Sequence, residues 1–212
     1  MASGGGEGNI EKPPPFRWLD VARYAVASVV TVLILAVIIN SIKVVLRPGT
    51  LSLSVTGGSL PVTRSPTPEK VVVFYSNLRA QNPSGRARIY YINITAYLFD
   101  SNTSASSSNP AYDSMFYFHL EDIVVLHQED TVYSSLRANG TKDYMPEYFD
   151  TLYNNKNATI SDVTMRLDGN LTTEVTINKT RLATFYCTPL IVGGDPDDEA
   201  FKKPDDVLCV KG

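Results

Sequence analysis

Few residues of this chain have the types that support chemistry: two cysteines, two histidines and one acidic loop. His119 lies in a strand-like run and His127 at the end of another, with no cysteine cluster and no histidine partner at metal-ligand spacing. Both read as structural or surface histidines. A serine nucleophile needs a positioned base and an oxyanion hole, and no G-x-S-x-G turn is present. The acidic loop Gly193-Gly194-Asp195-Pro196-Asp197-Asp198-Glu199 offers carboxylates at Asp195, Asp197 and Asp198, the hard oxygen ligands that calcium takes. Its spacing matches no complete EF-hand loop, and a solvated acidic loop over 195–206 accounts for the same residues. The expectation is no enzyme: no catalytic residue, no resident metal and no cofactor.

Modification chemistry is better represented. The acceptor pattern N-x-S/T, with x not proline, occurs at Asn93, Asn102, Asn139, Asn157, Asn170 and Asn178. Asn82-Pro83-Ser84 is excluded by its proline. Cys187 and Cys209 are the only cysteines. In an oxidising lumen such a pair bonds to itself, closing a loop of about 20 residues for a chain-entropy gain on the order of 3 kcal/mol. Two free buried thiols or an intermolecular bridge are the competing states.

The element that must place these groups is the stretch Tyr24 to Ile42, which is 19 residues long and carries no charge. As a helix it spans roughly 28 Å, close to the hydrocarbon thickness of a bilayer. A secretory signal would have a shorter apolar core and a small-x-small cleavage site. Lys12, Arg17 and Arg23 precede the stretch, and Lys43 and Arg47 follow it, which leans weakly toward a cytosolic N-terminus. All six acceptor sites lie after the stretch and none before it, so the later residues are expected in the secretory lumen. The expected organisation is a cytosolic tail over 1–20, a transmembrane signal anchor over 21–45 and an extracellular domain over 46–212. Lys plus Arg number 19 against 22 acidic residues, and 14 against 19 beyond residue 47. This mild acidity lacks the basic stripe of a nucleic-acid partner.

Beyond the anchor the patterning is that of strands. Leu51 to Val55 alternates apolar and polar, and residues 59–68 form a proline-punctuated connector. Val71 to Tyr75 is a β-branched and aromatic run, followed by a turn at Asn82-Pro83-Ser84-Gly85. In Arg88 to Phe99, Ile92, Ile94, Ala96 and Leu98 are expected on one face, and Asn93, Thr95 and Tyr97 on the other. Residues 101–110 read as a polar loop. Met115 to Leu120, Ile123 to Leu126 and Thr131 to Leu136 read as strands, and Tyr144 to Tyr153 as a short helix or edge segment. From Ser161 to Asn178 the odd positions are mostly apolar and every even one is polar. A two-residue turn at Asp168-Gly169 would move Asn170, Thr172 and Glu174 onto the apolar face. One long strand is therefore expected, with Gly169 marking a bulge or close approach. The fold class is mainly β: one N-terminal transmembrane helix followed by an antiparallel β-sandwich.

A short tail, one span, a Leu-rich strand, and Asn82-Pro83 running into Ala87-Arg88-Ile89-Tyr90-Tyr91 together resemble the plant harpin-induced and non-race-specific disease resistance-like proteins. Ser84 and Ile92 depart from that family's usual motif, in which asparagine and an acidic residue are common at these positions. The resemblance spans most of residues 16–212 and implies a late-embryogenesis-abundant type-two domain, a fibronectin III-like sandwich. It further implies a non-enzymatic plasma-membrane protein facing the cell wall, with wall or membrane protein partners, self-association, and a role in pathogen defence or abiotic stress. The alternative is a carbohydrate-binding, lectin-like protein or a membrane-anchored sugar-transferring one. Asp195-x-Asp197 resembles the acidic pair of anchored glycosyltransferases, but the chain lacks their βα alternation.

Overall fold

A computed structural model describes residues 17–45, 51–66, 69–83, 87–126, 131–174, 179–195 and 205–212. The chain divides into two units, 1–47 and 48–212. In the first, α1 (Arg17–Val45) contains the uninterrupted apolar run, and its stretch Val21–Ile42 has a mean hydropathy of 2.6 with no residue buried by protein. By length and composition this helix can cross a membrane.

The second unit is mainly β. Its strands are β1 (Ser52–Val55), β2 (Ser59–Leu60), β3 (Val62–Ser65), β4 (Val71–Gln81) and β5 (Arg88–Phe99). A single-turn helix α2 (Pro110–Asp113) leads to β6 (Phe116–His119), β7 (Ile123–Val125) and β8 (Thr131–Gly140). After α3 (Pro146–Asn154) come β9 (Thr159–Glu174), β10 (Lys179–Gly193) and β11 (Val207–Lys211). The connector expected over 59–68 therefore carries two short strands, and the helical alternative holds for 146–154. Proline at the first position of α3 starts that helix without losing an intrahelical bond. Its last carbonyls are taken by Arg64 of β3, whose Nε donates to Leu152 O at 2.7 Å and Nη2 to Asn155 O at 2.8 Å.

The hydrogen-bond path runs β3-β4-β1-β11-β10-β9-β5-β6, with β8 on β4 and β7 on β5. Every pairing is antiparallel except that of β2 with β10. The strands thus form one continuous sheet, and the separation into two sheets that defines a sandwich is not present in this path. The sheet curls into a half-barrel. Phe74 of β4 and Phe116 of β6, far apart along the path, stack with ring centroids 4.9 Å apart across one common core.

The parity expected for the long strand holds through β9: Val163, Met165, Leu167, Gly169 and Leu171 face inward. Gly169 is a close approach. A methyl group there would stand 2.7 Å from Cε2 of Tyr91, which is fully buried. The Tyr91 hydroxyl lies 2.9 Å from Leu167 O of β9 and 3.1 Å from Ala183 O of β10, so its one proton is shared between carbonyls of the next two strands. The bulge lies on the facing strand. The β5–β9 register shifts between Ile92 and Thr95, and Asn93 adopts φ 54°, a conformation asparagine tolerates. This corrects the expected face of β5. Ile94, Ala96 and Leu98 do point inward, but before the bulge the buried residues are Ile89 and Tyr91, and Ile92 is only half-buried.

Replacing Gly169 by Ala should destabilise the β unit by about 2 kcal/mol, because the Tyr91 ring is enclosed and cannot yield freely. Chemical denaturation followed by far-UV circular dichroism measures this, and an unchanged midpoint would contradict the packing.

Candidate functional site

Cys187 is fully buried on β10 and faces Cys209 across the β10–β11 ladder, with the two sulfurs 2.02 Å apart, at disulfide distance. The pair lies between two neighbouring strands and joins the C-terminal strand to the core side of β10.

The acceptor asparagines are spread over the surface. Asn93 projects from the bulge, and its backbone N–H donates to Asp122 Oδ1 at 2.8 Å. Asn102 is exposed in the loop after β5, Asn139 on the outer face of β8, and Asn157 in the turn after α3. Asn170 is half-buried between β5 and β10, where Thr172 Oγ1 and Thr180 Oγ1 bond at 2.8 Å. Asn178 lies outside the described residues. His119 is exposed and hydrogen-bonds through Nδ1 to Thr95 Oγ1 at 3.0 Å, a cross-strand structural contact. His127, Asp197, Asp198 and Glu199 lie outside the described residues. Among the described residues no three His, Cys, Asp or Glu side chains gather as metal ligands would.

Three features were not visible in the linear sequence. The first is an ionic clamp on the outer face of β9. Arg166 bonds Asp168 through Nε at 3.0 Å and Nη2 at 2.8 Å, while its Nη1 donates to Ala105 O and Ser107 O. Thr184 Oγ1 donates to the same carboxylate at 2.7 Å. Burial alone would lower the Arg166 pKa, but the hydrogen bond and charge of Asp168 outweigh it and raise it. Residues two apart on a strand share a face, so Arg166 and Asp168 could be placed side by side from sequence, but the loop carbonyls of Ala105 and Ser107 that complete the clamp could not.

The second is a cavity of about 560 Å³ beside that loop, lined by Asp100, Tyr112, Tyr144, Glu147 and Tyr148 among others. Burial pushes the Asp100 carboxyl up, and hydrogen bonds from Thr103, Tyr148 and Asn102 reverse this and hold it below the ordinary carboxylate range. Tyr148 donates to Asp100 Oδ2 at 2.8 Å, and burial followed by that bond pushes its phenol up to about 12.

The third is a groove of about 650 Å³ along the outer face of β4 and β8, with Tyr75, Asn77, Ser135 and Arg137 along it and Pro61 and Asp206 at its walls. Its floor needs residues some 60 apart in the chain to pair, which no local pattern reveals. No protein-family model matches the chain, and a comparison with curated proteins finds no match.

Because the folded carboxyl of Asp100 titrates lower than an ordinary aspartate, its contribution to stability is present above about pH 4 and is lost as pH falls through the depressed folded value. Tyr148→Phe removes a donor, so the Asp100 carboxyl should titrate higher and the contribution should shrink by about 1 kcal/mol. Carbon-13 NMR of the Asp100 carboxyl measures the shift; an unchanged midpoint would show that the phenol does not hold it.

Proposed function

We propose that this chain is a non-enzymatic single-pass plasma-membrane protein. In this reading α1 crosses the bilayer, residues before it are cytosolic, and the β unit faces the cell wall as an interaction module in defence or abiotic stress signalling. The observation that carries the reading is the Val21–Ile42 stretch, uncharged from Tyr24 onward, of mean hydropathy 2.6 and unburied by protein, followed by a β unit on which Asn93, Asn102, Asn139 and Asn157 are exposed. An all-round apolar helix has its lowest free energy in lipid, and a glycan needs an asparagine with open space around it.

The resemblance to harpin-induced and non-race-specific disease resistance-like proteins supplies the plasma-membrane, defence and stress assignment, together with membrane or wall partners and self-association. It also supplies the finer fold. The curled sheet is read as a fibronectin III-like, late-embryogenesis-abundant type-two sandwich whose layers are β8-β4-β1 and β10-β9-β5-β6, packed through Phe74 and Phe116. In the lumen the Cys187–Cys209 pair forms an internal bridge. A second reading, carbohydrate binding, is favoured by the polar and aromatic groove on β4 and β8. Sugar transfer has no comparable observation behind it.

Enzymatic deglycosylation of the protein from plant membranes, run with and without reductant on one gel, tests the membrane-side assignment. The expected result is a large downward shift on deglycosylation and a mobility change that depends on reductant. Neither shift appearing would place the β unit in the cytosol and remove the cell-surface reading.

A further inference from the structure

The outer face of the β4–β8 ladder carries an ordered row of side chains. Tyr75 lies opposite Arg137, Asn77 opposite Ser135, and Arg79 opposite Tyr133. Their neighbours Phe74, Leu78, Leu136 and Ala138 are buried, so strand alternation sends the row outward. The Arg137 guanidinium lies over the Tyr75 ring, with Cζ 5.8 Å from its centroid. Ser135 Oγ donates to Asn77 Oδ1 at 3.3 Å. On the far wall, Asp206 Oδ1 accepts the Gly57 N–H at 3.3 Å and Oδ2 stands 3.5 Å from Arg79 Nη1.

We propose that this groove binds an acidic saccharide, with Arg137 taking a uronate carboxylate and Asn77, Ser135 and Asp206 taking ring hydroxyls. The charges sort themselves for this. Asp206 is balanced by Arg79, whereas among the described residues no carboxylate pairs with Arg137. An uncompensated cation on a unit with 14 basic against 19 acidic residues is a local feature, not a general attraction for anions. A guanidinium offers two parallel N–H groups that match a carboxylate, and stacking on Tyr75 holds its plane while leaving its edge free. That ordering, made before the ligand arrives, lowers the entropy lost on binding.

The remaining groups suit a sugar, which has an apolar C–H face and a rim of hydroxyls. Amide, hydroxyl and carboxylate groups supply both donors and acceptors, and Tyr133, 61% exposed, adds an open aromatic face at the other end of the row. The strand pairs that line the groove, Tyr75 with Arg137 and Asn77 with Ser135, are two residues apart, about 7 Å at roughly 3.3 Å per residue, and Arg79 with Tyr133 continues the row one level beyond the groove. The inference rests on the carbohydrate-binding reading, and it is independent of which side of the membrane the groove occupies.

Asn139 stands on the same face, two residues from Arg137, so a glycan there would overlie the end of the groove. The test therefore uses the full chain in detergent micelles with Asn139→Gln, titrated by calorimetry with trigalacturonic acid and with the same trimer fully methyl-esterified. The acid should bind, and the ester, which keeps the shape and loses the charge, should bind at least roughly tenfold more weakly. Arg137→Gln should weaken the acid to a similar degree. Arg137→Lys should fall between, and Tyr75→Phe, which keeps the ring, should match the parent. Arg181→Gln, a cation on β10, should change nothing. Acid and ester binding alike, neither binding, or Arg181→Gln weakening the acid as much as Arg137→Gln would each overturn the proposal. Arg137 is exposed, so unchanged circular dichroism separates loss of binding from loss of fold. A folded chain that carries glycans and binds neither trimer overturns the groove and leaves the membrane reading standing.

Discussion

The buried ring of Tyr91 seated against Gly169 is the contact on which the β unit turns. Strand β9 is hydrogen-bonded to β5 on one edge and β10 on the other, and this ring spans the junction of all three. A glycine in the middle of a strand costs backbone entropy, and here the cost is offset by admitting a tyrosine whose hydroxyl reaches two carbonyls. The edge-to-face contact of Tyr91 with Phe185, centroids 5.5 Å apart, carries the same packing into β10. With that junction set, the parity of β9 follows, and so does the outward aim of Arg166 and Asp168 that clamps the serine-rich loop.

Much of this was legible because it depends on local periodicity. The apolar run of α1, the alternation of β9 and the bounds Arg88–Phe99 of β5 all follow from residue types at fixed spacing, whereas the facing of Cys187 and Cys209 is set by the β10–β11 register. The reading failed where a tertiary contact overrides the period. On β5 the alternation of Ile92 with Ile94 implies one face, but the bulge at Asn93 resets the parity so that Tyr91 and Ile94 both point inward. Prolines at 61 and 66 suggested a plain connector, yet both sit at strand ends, where a missing N–H does no harm, and β3 fits between them. The curl of the strands into one continuous half-barrel sheet, where two separate layers are expected, was not legible at all, because whether a sheet closes, splits or curls is decided by edge pairings such as β1 with β11. The candidate sites show the same limit. The cross-strand contact of His119 with Thr95 and the groove alike require strand registers, β5 with β6 and β4 with β8, that no local pattern carries.

The surface chemistry and the anchor make complementary demands on solvent. The β unit turns polar side chains and acceptor asparagines outward over a closed apolar core, so it is suited to water on all sides. Helix α1 presents Val, Leu and Ile around its whole circumference and is suited to hydrocarbon. By length and composition α1 can cross a membrane, whereas the β unit has its own apolar core and a polar surface.

The central claim is that the β unit is displayed outside the cell by one span. Epitope tags placed at the two ends of the chain, read by antibody on intact and then permeabilised protoplasts, test it most directly. The account predicts that the tag after Gly212 is stained on intact cells and that the tag before Met1 is stained only after permeabilisation. Staining of the N-terminal tag alone on intact cells, or of neither tag until the membrane is opened, would contradict it.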